Sequence, residues 1–321
     1  MAKLNTLTSL GQPMNTGKLK GAYDPKNIIG AIFTPKGYIL TATQLLTLAT
    51  VLQAGVMNAV KALRLYPIYG FTALQDGSED ITVQTMGYGQ KYPVREGYID
   101  WKFELVDGFL SLHSVLRAFN GSDYDFFFID ANNRIIGTAG VDTTGAPCFK
   151  AIPSDNGFFY AHPFKINDGS KISSYIEQFV FAPKYINDFD KIQVVEAGVD
   201  MPTNVQGLAD VLLTSPGANV TSGSYNVQAA TRTGISMGAA YATPLQLATS
   251  WIATNTATGL PIAITTVTYN AATDVFTFVL LKTDANYPTT GTVSISLIAP
   301  TALATAGVVN YESNVVSIAK N

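Results

Sequence analysis

The chain of 321 residues carries 20 basic and 23 acidic side chains, and its charged fraction of 13% is about half that of an ordinary globular protein. The acidic pI of about 5.4 argues against a free-standing nucleic-acid-binding protein, which usually presents a basic face. Most of the surface must therefore be neutral, and neutral surface is easily desolvated in protein–protein contacts.

The start of the chain is predicted to be an extended arm. Residues 1–23 are polar, contain Gly11, Pro13 and Gly17, and lack the apolar core of a signal peptide. We therefore expect synthesis and assembly in a cytoplasm. The single cysteine, Cys148, excludes an intramolecular disulfide and a cysteine-based metal site, and we interpret it as a small buried side chain.

An uncharged stretch, Gly37 to Val60, is long enough to span a bilayer. It contains polar residues, however, and its apolar side chains recur every three or four positions, which is typical of one face of an amphipathic helix. We predict a helix that is capped by Thr41 or Thr43 and runs to about Arg64, after a hairpin-style turn at Pro35-Lys36-Gly37. No membrane association is expected. The predicted helical stripe comprises Leu45, Leu48, Leu52, Val56, Val60 and Leu63.

Strands dominate the rest of the region up to residue 201. In Tyr98–Leu105, the apolar residues alternate with Asp100, Lys102 and Glu104, as in a sheet with one buried and one wet face. A short helix is predicted at 109–119. The remaining strands are predicted at 81–85, 124–130, 134–137, 158–166, 175–181 and 192–196. A turn at 130–133 joins the second and the third of these strands.

The composition changes near residue 200. The last 121 residues hold only 3 of the 20 basic and 4 of the 23 acidic side chains and are rich in Ala, Thr, Ser and Val. Strands spaced about every ten residues predict an immunoglobulin-like β-sandwich. We divide the chain into an arm at 1–23, a β-rich domain at 24–201 and an immunoglobulin-like domain at 202–321, with Met201-Pro202-Thr203-Asn204 as linker. The strands are predicted at 211–214, 224–228, 259–269, 274–282, 291–299 and 314–318.

The sequence offers few candidates for catalysis or metal binding. His113 and His162 lie far apart and have no partner at ligand spacing, so we interpret both as structural. Asp123 and Asp125 share one face of a strand, where paired carboxylates serve either acid–base chemistry or protection of a sheet edge. Gly87-Tyr88-Gly89 lacks the third glycine and the helix of a dinucleotide site. We predict no enzyme activity and no cofactor, and we interpret the acidic segment 76–80 as a solvated turn.

The segment 84–97 (QTMGYGQKYPVREG) is the strongest interaction candidate. It is rich in Gly and Tyr and lies between two predicted strands, which favours a long hairpin or loop with an aromatic tip. We predict Tyr88, Gln90, Tyr92 and Arg95 as assembly-interface residues. An ordinary surface loop is the alternative interpretation.

Several segments carry a resemblance to a known class of proteins. They are the run 42–65 with Tyr66-Pro67-Ile68 and Gly70-Phe71, QTMGYGQKYPVREG, YIDWKFEL (98–105), LRAFNGSDYDFFFIDANNRIIGT (116–138) and NYES (310–313). Over about residues 25 to 200 the chain resembles tailed-phage virion proteins from phages of Bacteroidetes, including the crAss-like group. The resemblance implies a tail-tube or head–tail connector-ring subunit with a tail-tube-like β-sandwich or barrel flanked by a helix. It implies sixfold or twelvefold rings, and no individual functional residue is transferred.

The resulting expectation is a mainly β protein with one or two helices that assembles with copies of itself and other proteins in a virion, after synthesis in the host cytoplasm. DNA would be only a passing cargo, and the immunoglobulin-like domain would touch host-surface glycans weakly. The alternatives are a capsid decoration or head protein, and a carbohydrate-binding adhesion module that uses Tyr88, Tyr92 and Trp251 as stacking platforms. An enzyme that uses Asp123 or Asp125 is the least favoured alternative.

Overall fold

The computed structural model describes residues 4–5, 28–80, 82–95, 97–106, 110–154, 159–165, 174–181, 192–216, 223–288 and 290–319. The chain divides into two compact units, one made of residues 1–56 and 62–206 and the other of residues 57–61 and 207–321. The division at 206 replaces the predicted one at 201. Both units are built mainly from β-strands, which confirms the predicted fold class.

The first unit contains fifteen strands among its described residues. They are β1 (Leu4–Asn5), β2 (Ile28–Pro35), β3 (Ile39–Thr41), β4 (Tyr66–Tyr69), β5 (Phe71–Asp76), β6 (Thr82–Thr85), β7 (Lys91–Arg95), β8 (Ile99–Leu105), β9 (Tyr124–Asp130), β10 (Arg134–Val141), β11 (Pro147–Lys150), β12 (Ile152–Pro153), β13 (Phe159–Ala161), β14 (Tyr175–Phe181) and β15 (Ile192–Glu196). Four short helices accompany them: α1 (Ala42–Leu45), α2 (Leu48–Val56), α3 (Leu110–Arg117) and α4 (Met201–Asn204).

Two antiparallel sheets of the first unit share one aromatic core. The larger sheet has the main order β1-β15-β10-β9-β2-β4, and the smaller one has the order β13-β14-β8-β5. Phe126 and Phe128 of the larger sheet pack with Phe103 and Phe179 of the smaller one. The central strand β9 buries Phe127 on its other face, where the ring stacks on Phe149 at 5.1 Å between centroids. Since both faces of β9 are covered, its central residues Phe126–Ile129 form an unbroken apolar run.

The predicted long helix is wrong and is replaced by two short ones. Thr41 caps α1 in a capping box with Gln44, as the sequence suggested. The second helix, α2, ends at Val56, because the chain folds back and Leu65 packs against Gly55, where a β-carbon would lie 2.6 Å from the Leu65 side chain. Val60 and Leu63, which were expected on the buried stripe, are therefore 54% and 56% exposed.

Three other local predictions need correction. Pro35-Lys36-Gly37 does form a turn, but it joins no hairpin, since β2 pairs with β4 and β9 whereas β3 pairs with β11. The predicted linker 201–204 is instead α4, capped by Asp200 and anchored by the fully buried Met201. In the predicted arm, Leu4–Asn5 forms β1 and pairs with β15, and residues 6–23 lie outside the described residues.

The second unit has the strand order of an immunoglobulin-like sandwich. Strands β16 (Ala209–Thr214), β17 (Ser224–Thr231), β21 (Val275–Leu280) and β20 (Ile264–Asn270) give the order A-B-E-D, and β19 (Pro261–Ile262), β18 (Trp251–Asn255), β22 (Thr292–Leu297) and β24 (Val316–Ala319) give the order C′-C-F-G. Strand β23 (Tyr311–Ser313) adds to β16 in parallel. Two helices complete the unit: α5 (Met237–Leu245) and α6 (Pro300–Thr305).

The predicted strand 259–269 is split between the two sheets of the second unit. Its first part is β19, which pairs with β18, and its second part is β20, which pairs with β21. At the break, the backbone N–H of Ala263 donates to the carboxylate of Asp284 at 2.8 Å. This side chain therefore satisfies a backbone group at the point where the chain leaves one sheet for the other.

Candidate functional site

The segment predicted to be a long hairpin is a two-stranded ribbon formed by β6 and β7. Thr85 pairs with Lys91 and Gln84 with Tyr92 in antiparallel register. The ribbon grows out of the smaller sheet of the first unit, since the β5–β8 pairing continues through the hydrogen bond from Glu79 N to Tyr98 O at 2.9 Å. Within the described residues, neither ribbon strand pairs with a third strand.

A glycine allows two backbone segments to approach closely at the root of the ribbon. A β-carbon added at the buried Gly97 would collide with the backbone carbonyl of Glu79. No other amino acid fits this close approach of two backbones without a shift of the chain. Gly97 therefore fixes the point at which the ribbon leaves the sheet.

The tip of the ribbon projects one aromatic ring into solvent. Met86 N donates to Gln90 O at 2.7 Å, and residues Gly87–Gly89 form a short 3-10 turn. Tyr88 has φ +68° and ψ +15°, the left-handed conformation that non-glycine residues rarely adopt. Its side chain is fully exposed, with a relative accessibility of 108%. The Tyr88 ring therefore extends into solvent, away from the body of its own chain.

The predicted interface residues all lie on this ribbon. Gln90 accepts a hydrogen bond from the Tyr92 hydroxyl at 3.1 Å, which orients the half-exposed Tyr92 ring. The backbone of Arg95 pairs with that of Thr82 at the root of the ribbon. The described side chains of the ribbon expose apolar surface on both faces: Val83, Met86, Tyr88, Tyr92 and Val94. Because an isolated two-stranded hairpin is only marginally stable in water, this surface suits a partner.

The carboxylate pair Asp123 and Asp125 is built into the fold. The Lys36 ammonium lies 2.6 Å from Asp123 and 3.7 Å from Asp125, and Asp125 is almost fully buried. Asp125 also accepts from Gly37 N at 2.7 Å and Ser154 N at 3.3 Å. Burial raises the pKa of Asp125, while the Gly37 N–H and the Lys36 charge act in the opposite direction. These contacts hold the turn 35–37 against β9, which is a structural role.

The two histidines differ from one another in their surroundings. The His162 Nε2 lies 2.7 Å from the Gln178 side-chain oxygen, and Gln178 donates to both Asp100 oxygens at 2.9 Å. Because the Gln178 amide nitrogen is the donor to Asp100, its oxygen accepts from His162 Nε2–H. Asp100 was predicted on the wet face of β8 but is only 4% exposed. The series of hydrogen bonds from His162 through Gln178 accounts for this burial. His113 is buried and has no hydrogen-bond partner for either ring nitrogen.

Other sequence candidates have local structural explanations. In the acidic segment 76–80, Asp76 accepts from Ser78 N at 3.0 Å, as in an ordinary turn. No group of three or more potential metal ligands occurs within the described part of the chain. Burial raises the pKa of the Cys148 thiol, which disfavours the reactive thiolate.

Trp251 is not a stacking platform. It is 4% exposed, and its indole N–H donates to Leu245 O at 2.7 Å in the core of the second unit. The carbohydrate-binding alternative therefore loses one of its three predicted aromatic residues. Tyr88 and Tyr92 remain accessible on the ribbon.

One unusual group was missed by the sequence reasoning. Glu177 on β14 is completely buried, and both of its carboxylate oxygens lack a hydrogen-bond partner. Burial raises its pKa to about 8. A signal was present in Tyr175-Ile176-Glu177-Gln178-Phe179-Val180-Phe181, since strict alternation places Glu177 on the same face as three aromatic residues.

No protein-family model matches this chain, and a comparison with curated proteins finds no match. No helix among the described residues is long and apolar enough to cross a lipid bilayer.

Proposed function

We propose that this chain is a structural subunit of a bacteriophage particle that assembles with copies of itself into a tail tube or head–tail connector ring. The observation that carries the proposal is the ribbon of β6 and β7, which exposes apolar side chains on both faces and is paired with no further strand of the described chain. The resemblance of residues 25–200 to tailed-phage virion proteins is the reason for proposing that the assembly is part of a phage particle. Other virion proteins would be its further partners.

The energetics favour a contact that is made by the ribbon. An aromatic side chain buries about 150–250 Å² when it enters an interface, and full burial of a large apolar side chain contributes roughly 1.5–3 kcal/mol. Tyr88 and Tyr92 supply two such groups per subunit, and a closed ring repeats the contact at every interface. The low charge of the chain reduces the desolvation cost of the surrounding surface.

The test is assembly of the purified chain as its concentration rises. We expect rings or tubes in negative stain and a large particle mass in light scattering. The double variant Tyr88→Ser/Tyr92→Ser should remain monomeric with an unchanged circular dichroism spectrum, because neither ring supports the core. The matched control Tyr160→Ser removes an exposed tyrosine from β13, outside the ribbon, and should assemble normally.

A native chain that stays a monodisperse monomer at every concentration would contradict the proposal. Binding to preformed capsids in hundreds of copies, without rings, would identify a decoration or head protein instead. Binding to a glycan array that is lost in the Tyr88→Ser/Tyr92→Ser variant would indicate an adhesion module.

A further inference from the structure

The core face of β14 contains an unpaired acid where an apolar residue would be expected. Tyr175, Phe179 and Phe181 point into the core on the same side of the strand as Glu177, and all four are buried. Across the strand pairings, Glu177 lies opposite Phe103 of β8 and Ala161 of β13. Burying a carboxyl without a hydrogen bond is costly, and burying it as an anion costs far more.

A second unpaired group lies beside the same strand. The His113 ring of α3 packs on the Tyr175 ring with centroids 4.7 Å apart, and the Phe164 ring lies 4.8 Å from Tyr175. His113 is 7% exposed. Tyr175 is two residues from Glu177, a separation of about 7 Å along a strand. Glu177 and His113 are the two residues with buried, unpartnered side-chain polar atoms in the described part of the chain.

Few other charges occupy this side of the core. The charged side chains of β8, namely Asp100, Lys102 and Glu104, lie on its opposite face, and the neighbours of Glu177 on β8 and β13 are apolar. The Asp130 carboxylate, at the end of β9, is paired with Arg134. Besides Glu177, the titratable or charged side chains that lie on the core-facing sides of the packed elements, or at their ends, are Tyr66, Asp76, His113, Arg117, Tyr124, Asp130, Arg134, Tyr175 and Glu196.

We infer that Glu177 and His113 form a pH-dependent lock on the packing of α3 against the β13–β14 hairpin. The lock is closed when the carboxyl is protonated and the imidazole is neutral, since neither group then carries a buried charge. Ionisation of Glu177 or protonation of His113 places an uncompensated charge in an aromatic core. Either event favours opening of this end of the first unit to water.

The two groups respond to pH in opposite directions. The pKa of Glu177 is raised from 4.5 to about 8. Its contribution is complete below pH 4.5 and is lost as the pH rises toward 8, because the opened state releases the proton first. The pKa of His113 is lowered from 6.5, chiefly by burial and also by the Arg117 charge. Its contribution is complete above pH 6.5 and declines as the pH falls.

Hydrogen–deuterium exchange of the full chain, corrected for the intrinsic effect of pH, tests the lock at peptides from α3 and β14. Between pH 6.5 and 9, the native protein should lose protection in these peptides by roughly thirtyfold. Glu177→Gln keeps the shape of the protonated acid and should abolish this loss. Glu104→Gln, on the opposite face of the neighbouring strand, should behave as the native protein does.

The loss of protection at acidic pH, which we assign to His113, is tested in the Glu177→Gln variant. In this variant the opposite pH response of Glu177 is absent. Protection should fall below pH 6.5, and addition of His113→Leu should remove this fall. Glu177→Leu provides a second variant that needs no hydrogen-bond partner and should be insensitive to alkaline pH. An alkaline loss of protection that persists unchanged in both Glu177 variants would overturn the inference. The readout depends on opening of a single chain, so it is independent of ring or tube formation.

Discussion

The two units are both β-sandwiches, but they bury different kinds of polar group. The first unit encloses acidic, basic and histidine side chains, whereas the side chains that are classed as buried and polar in the described part of the second unit are Ser250, Asn255 and Ser294. The low charge of the last 121 residues thus extends to the interior of the second unit. The enclosed acidic, basic and histidine residues of the first unit are Arg64, Asp100, His113, Asp125, Asp130 and Glu177.

The two units therefore stabilise a β-sandwich by different contacts. In the first unit, buried carboxylates tie distant segments together, as Asp125 does with the turn at Gly37 and with Ser154. In the second unit, the strand order is supported by apolar packing around Trp251 and Phe278. The first unit should therefore respond strongly to loss of a partner charge, and the second mainly to loss of volume.

The largest expected effect is one that the units share. Phe128 packs against Trp101 at 5.4 Å between ring centroids, and Phe278 packs against Trp251 at 4.8 Å. Phe128→Ala and Phe278→Ala should each lower the free energy of unfolding of its own unit by about 3–5 kcal/mol. Urea unfolding followed by tryptophan fluorescence measures both, with Trp251→Phe or Trp101→Phe to isolate one reporter. If one substitution is tolerated almost without cost, the two cores are not equivalent in packing.

The second prediction separates the units by the environment of an ion pair. Arg134 pairs with the fully buried Asp130 at 2.5 Å, and Arg232 pairs with the exposed Asp210 at 2.9 Å. Arg134→Leu should cost about 3 kcal/mol, since it leaves a buried carboxylate without its counter-charge. Arg232→Leu should cost less than about 1 kcal/mol. Equal costs in denaturant unfolding would remove the proposed contrast between the units.

The smallest effect concerns two residues with the same left-handed backbone. Tyr88 has φ +68° and Asp274 has φ +53°. Tyr88→Gly relieves strain and should raise ribbon stability by up to about 1 kcal/mol. Asp274→Gly should instead destabilise the second unit, because the Asp274 carboxylate accepts from Ser236 at 2.5 Å and Tyr269 at 2.9 Å. Local hydrogen exchange at each turn measures the two changes, and effects of the same sign would contradict this distinction.

Local sequence patterns predicted much of the strand structure. Tyr124–Asp130, its turn and the return strand at Arg134 were recognisable, because a long apolar run meets a polar turn. Asn133, in that turn, adopts φ +58°, as asparagine tolerates. The ribbon was predicted from its glycines and tyrosines, and all four residues of its strand β6 are exposed.

Other features depend on contacts between distant residues. The end of α2 is determined by Leu65, which returns to Gly55, and no helical periodicity contains this information. Strand β18 was missed because Trp251–Asn255 is short and follows a helical turn, whereas its strand state depends on pairing with β22. The burial of Asp100 likewise requires Gln178 from another strand.

The hydrogen bonds of Asn133 determine where the chain can be cut into two fragments. Its side-chain oxygen accepts from Met201 N at 2.9 Å, and its carbonyl accepts from Ala197 N at 3.2 Å. The Tyr69 hydroxyl donates to Val205 O at 2.8 Å. A gene split or domain transplant placed at the change in composition would therefore cut away part of the first unit's own packing. A cut between Gln206 and Gly207 leaves α4 with the core it completes.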